Sequence, residues 1–271
     1  MNGILSLALI TYREGIRNRA VLGVGLFALF VFGLNVTVAG FFMRDIGKVT
    51  VDMNLSALSV AGLMLILFIG TNLMAKDIDK RTIHLVLSKP ISRYGYIWGK
   101  YFGLLFFLAI SLGFLFILSL LTIILLKNIY PNYFQSFSWL SFFLAGFGVY
   151  VKTAIVGAFV VFFSAVCTSS FVNLVFTICS YVVGVTIEEV LFYLRSSIAS
   201  QDLTISESLH KIIVFVSNIF PNLSIFDFRL NAAYGLPLPW ERFAFSQLYA
   251  VVYIVVLLQA ASLIFSRREF N

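Results

Sequence analysis

Few residues of this 271-residue chain could do chemistry, and they are scattered. The densest group is Ala75 to Lys100, AKDIDKRTIHLVLSKPISRYGYIWGK, where eight of 26 residues are charged and six of those are basic. It lies between two stretches apolar enough to cross a bilayer, so it is where a membrane protein could be gripped from outside the membrane. Lys152 is a lone base inside a long apolar run. Gly146 to Thr153, GFGVYVKT, matches a phosphate-binding loop at Gly146, Lys152 and Thr153, but Val151 stands where the second glycine is needed and no predicted strand precedes it. His84 and His210 are expected on opposite sides of the membrane and cannot share a site. Cys167 and Cys179 lack the further ligands of a metal set and read as small apolar packers. The chain is therefore expected to be no enzyme, with no cofactor or metal of its own, and any work it does must be powered from elsewhere.

The elements that must position these residues are membrane spans. The chain is 61% hydrophobic and 11% charged, against roughly 45–50% apolar and about 25% charged in soluble domains. With about 20 apolar residues per crossing, the spacing predicts an all-α polytopic membrane protein of six spans, 21–42, 53–74, 101–126, 139–167, 171–187 and 243–265, in a single domain. The fourth stretch is longer than one crossing needs. Its start is expected to lie flat in the interface, with a bend at Gly146 and Gly148 that lets Lys152 reach headgroups. The alternative is a buried, functional lysine.

Residues 1–19 read as an amphipathic interfacial helix. Asn2, Ser6, Arg13 and Arg17 share one face, and Leu5, Leu9, Tyr12 and Ile16 another. The arginines follow the apolar residues instead of preceding them, so this is not the pattern of a signal peptide. Eleven of the 19 bases but only four of the 12 acids fall on the side of the termini and of the 75–100 segment. That bias places both termini in the cytoplasm. It also accounts for the net charge of +7 by topology, without nucleic-acid binding.

Residues 188–242 form the longest stretch outside the spans. Within it Ile212 to Phe226 is apolar but broken by Asn218, Pro221 and Asn222, too short to cross, and is expected to enter the outer leaflet and return. Gly95, Gly99 and Gly103 recur every fourth residue at the start of the third span, a spacing that lets helices pack closely.

The run Asp77-x-Asp79-Lys80-Arg81-Thr82, then Leu87-Ser88-Lys89-Pro90-Ile91-Ser92-Arg93 and Gly99-Lys100, resembles the cytoplasmic loop of ABC-2-type permeases, the six-helix membrane subunits of type V ABC exporters. The order of elements over nearly the whole chain is similar too, most of all to permeases of the multicopper-enzyme-maturation type. Arg81 stands where the family often has glycine. The resemblance implies a bacterial or archaeal cytoplasmic membrane, a second permease copy or relative, and two ATPase subunits that bind ATP and Mg. It also implies a coupling helix in 75–100. There Asp77, Asp79, Arg81 and Thr82 would make polar contacts with the ATPase, and Ile83, Leu85 and Leu87 would dock into it. Pro90 would end the helix and Arg93 would sit at headgroup level. The rival readings are an ion-coupled carrier, which needs ionisable groups within the spans, and a membrane anchor for a cytoplasmic partner.

Overall fold

The computed structural model describes residues 2–39, 41, 45–72, 92–167, 169–195, 207–237 and 240–267. They form helices joined by short turns, with no strand among the described residues. In chain order these are α1 (Asn2–Ile16), α2 (Arg19–Ala39), α3 (Ile46–Leu65, continued by a π turn Ile66–Gly70), α4 (Arg93–Ile129), α5 (Trp139–Val166), α6 (Ser170–Arg195), α7 (Glu207–Ile219), α8 (Arg229–Tyr234) and α9 (Trp240–Arg267). Six of them, α2 to α6 and α9, are long and apolar enough to cross a membrane. The chain is an all-α polytopic membrane protein.

Several helices run past the ends expected from hydropathy. The second span starts at Ile46, not Met53, and the third starts at Arg93, so Gly95 and Gly99 are helical. The fifth continues through Glu188 and Glu189 to Arg195, whereas the first stops at Ala39. Apolar composition marks where lipid begins, but backbone hydrogen bonding carries a helix beyond it until a cap or turn intervenes. Ser92 and Ser138 supply such caps, their hydroxyls accepting from the Gly95 and Ser141 backbone N–H groups at 3.1 and 3.4 Å.

Helix α5 is the axle of the bundle, with 72% of its span buried against 22% for α2. Around it pack α3, α4, α6 and α9. One apolar core joins α3, α4, α5 and α9 through Leu58, Ile66, Leu104, Phe107, Ile155 and Leu258. A second, nearer the turn between α4 and α5, gathers Val51, Leu55, Phe134, Phe142 and Phe228. In lipid the drive to associate is packing and interhelical hydrogen bonding, and α2 and α3 use both. The Asn35 and Asn54 amides donate to the same Thr50 carbonyl at 3.2 and 2.9 Å.

Helix α1 is more than an interfacial strip. It runs alongside the first turns of α4 in the same direction, burying Leu7, Thr11 and Gly15. A methyl group on Gly99 would stand 2.9 Å from the Leu7 side chain, and one on Gly103 would stand 2.6 Å from both the Ala8 carbonyl oxygen and Thr11 Cβ. Tyr12 meets Phe106 edge-on at 4.8 Å. The helix thus has three faces: one on α4, an exposed apolar one with Leu5, Leu9 and Ile16, and an exposed basic one with Arg13 and Arg17.

Candidate functional site

Asp77, Asp79, Arg81, Thr82, Ile83, Leu85, Leu87 and Pro90 lie outside the described residues. Arg93 does not. As the first residue of α4, it donates from Nη1 to the Ser266 and Phe265 carbonyls at 2.8 and 3.5 Å. These carbonyls end α9, where a cation satisfies acceptors that the helix leaves open. Tyr96 stacks on Phe265 one turn later, centroids 5.3 Å apart. Within eleven residues of its start, α4 therefore holds α9 through Arg93 and Tyr96 and holds α1 through Gly99 and Gly103. Gly95, also buried, serves the cap that starts the helix.

Lys152 is placed differently from the first expectation. Helix α5 is unbroken, and Lys152, fourteenth of its 28 residues, is buried with 9% of its surface exposed. Gly146 and Gly148 do not interrupt the helix, and their lack of side chains is used for packing. Gly146 faces the Phe116 ring, and a methyl on Gly148 would stand 2.6 Å from the Phe226 carbonyl oxygen. The Lys152 ammonium lies 5.3 Å from the centre of the Tyr181 ring. It has no hydrogen-bond or ion-pair partner among the described residues.

The groups that approach Lys152 come from the stretch expected to enter the membrane and return. After α7, the chain bends by 55° into a 3-10 turn at Ser224–Phe226 and then α8. Phe220 stacks on Phe159, about 30 Å along α5 from its first residue at 1.5 Å per residue. From that depth the chain climbs back to Gly235. Pro221, Leu223, Phe226 and Phe228 are buried. Hydrogen bonds to main-chain carbonyls of α6 fix the vertex: the Leu223 N–H donates to the Gly184 carbonyl at 2.8 Å, and the Ser224 hydroxyl to the Val185 carbonyl at 2.8 Å. The Asn222 N–H donates to the Tyr249 hydroxyl at 3.2 Å, and the Tyr253 hydroxyl to the Ile219 carbonyl at 3.0 Å. Gly184 permits this seating, since a methyl there would stand 2.8 Å from the Pro221 carbonyl oxygen.

On the returning limb Asp227 and Arg229 form a two-pronged pair. Arg229 Nε lies 2.8 and 3.0 Å from the carboxylate oxygens and Nη2 lies 2.6 Å from Oδ2, while Nη1 donates to Ser56 Oγ at 2.7 Å. The pair locks the hairpin to α3. Burial would raise the Asp227 carboxyl, but its bonds to Arg229, the Arg229 charge and the Lys152 charge hold it below its ordinary value. The Asp227 bond likewise outweighs burial and raises Arg229.

A cavity of about 720 Å³ opens above the pair, lined by Asp52, Glu188, Glu189, Asp227, Arg229 and Arg242 with Phe192, Leu230 and Asn231. That size suits small-molecule sites. Four carboxylates face two guanidinium groups, so the cavity is acidic. Beneath the pair a water-sized space of about 10 Å³ is bounded by Ser59, Lys152, Phe226, Asp227, Phe228 and Arg229. Asp227 and Arg229 thus stand as a floor between an acidic vestibule and a buried cation. Among the described residues no cluster of His, Cys, Asp and Glu could hold a metal.

Sequence reasoning missed Asp227, Arg229, Ser56 and Tyr181. The apolar run ends at Phe226, one residue before Asp227. The signal was there, two opposite charges two residues apart in the aromatic stretch Ile225 to Leu230, IFDFRL. No family model matches the chain, and no curated protein matches it.

Proposed function

We propose that this chain is the permease subunit of an ATP-binding cassette exporter of the ABC-2 type, paired with a second permease and driven by two separate ATPase subunits that bind ATP and Mg. The observation that carries this reading is the junction at Arg93. The charged segment that resembles a coupling loop leads directly into α4, whose first turns are bound to the end of α9 and to all but the ends of α1. A push on the segment would move three helices together. The vestibule and its ion-pair floor then serve as the far side of an alternating-access pathway. Purification of the intact chain in mild detergent tests this: an ATPase subunit should co-elute in stoichiometric amount. Changing Asp79 and Arg81 together should leave insertion intact and lower the ATPase activity.

A second reading, an ion-coupled carrier, is favoured by Lys152. A buried cation behind an Asp–Arg pair is the kind of ionisable group such a carrier needs within its spans. Lys152→Met separates the two readings: a carrier would lose all transport, whereas an ATP-driven permease would keep its partner and its ATP hydrolysis.

A further inference from the structure

We infer that the turn between α1 and α2 is a binding site for one anionic glycerophospholipid, with its headgroup on the arginines and an acyl chain in the groove beside α2. The turn is tightly built. The Arg17 and Asn18 N–H groups donate to the Arg13 and Gly15 carbonyls at 3.2 and 3.1 Å, and the Asn18 side chain accepts from the Ala20 N–H at 3.1 Å. It holds Arg13, Arg17 and Arg19 around a cavity of about 730 Å³ that also includes Asn18, Asn72 and one acid, Glu14. Three guanidinium groups against one carboxylate make a basic cup, and guanidinium groups pair with phosphate oxygens in two-pronged fashion.

Next to the cup, on the other side of the same turn, runs an apolar groove of about 410 Å³ between Ile16, Val21, Gly25, Leu65, Ile110 and Phe114. Leu65 in the groove and Asn72 in the cup are seven residues apart on α3, about 10 Å along the axis. A soluble anion would fill the cup and leave the groove open, and an acyl chain alone would leave the arginines unused. A phospholipid with net negative charge satisfies both.

The test uses the purified full chain in native mass spectrometry, so it does not depend on the transport reading. The native chain is expected to retain phosphatidylglycerol at least about tenfold better than phosphatidylcholine, because basic residues near a membrane surface favour anionic headgroups. Substituting Arg13→Gln, Arg17→Gln and Arg19→Gln together should erase that preference. Gly25→Phe should reduce retention of both lipids, because a Cβ at Gly25 meets nothing within 4 Å and a side chain built on it extends from the groove wall. Inorganic phosphate at the same concentration should not displace the lipid. Equal retention of the two lipids by the native chain, undiminished retention by Gly25→Phe, or displacement by phosphate would each overturn the assignment. Should the triple variant fail to fold, the native comparison and Gly25→Phe decide it.

Discussion

Arg229 carries more bonds than any other side chain of the returning hairpin limb, and its removal would leave Asp227 with the backbone N–H of residue 229 at 3.2 Å and with Lys152 across a water-sized gap. Both members of the pair are partly exposed. Arg229→Ala should therefore destabilise the fold by about 1–3 kcal/mol, less than the 3–5 kcal/mol of a fully buried pair. The double variant Asp227→Ala/Arg229→Ala should cost less than the sum of the singles, a coupling that a double-mutant cycle of thermal unfolding in detergent would reveal. Acid should act through the same pair. Because the folded state holds the Asp227 carboxyl below its ordinary value, its contribution is complete above the ordinary carboxylate range. It is lost as pH falls through the lowered folded value. Hydrogen-exchange protection of residues 219–229, taken relative to the intrinsic rate at each pH, should hold from neutrality to about pH 4 and fall below that; protection that vanishes already near neutral pH would contradict the assignment.

Among the elements, the seam between α1 and α4 makes the sharpest demand. Gly103→Val would drive a side chain into the Ala8 carbonyl and Thr11, at the roughly 1–3 kcal/mol typical of overpacking, and should lift α1 from α4. Gly113 on the same helix has nothing within 4 Å of a new side chain, so Gly113→Ala is the neutral control. Protease sensitivity of α1, raised in the first variant and unchanged in the second, checks both. The hydropathy of the chain made the six spans readable, because a lipid-crossing helix must be apolar for its full width whatever it packs against. Their ends were less legible, since Ser92 and Ser138 cap helices at points that apolar composition does not mark. The face of α1 that meets α4 was hidden because Leu7, Thr11 and Gly15 interleave with the apolar and basic stripes. Lys152 could be singled out by type, but its environment could not, since Asp227 and Arg229 lie 75 and 77 residues further along the chain.

The whole molecule is one bundle with two differently built ends. At one end the start of α4 is bound both to the end of α9 and to α1. At the other, a hairpin floor held by Asp227 and Arg229 closes an acidic vestibule. Tags on the two termini should be cut by protease from the same side of the membrane as residues 75–91, as the distribution of bases requires; cleavage of the tags from opposite sides would break the six-span topology. In the proposed permease, work enters through the segment before α4. The most direct test is affinity purification of the intact chain beside a variant altered from Asp77 to Leu87, with co-eluting proteins identified and ATP hydrolysis measured. A stoichiometric, active ATPase is expected with the native chain, and its loss from the variant. A native chain that elutes alone and without ATP hydrolysis would contradict the proposal.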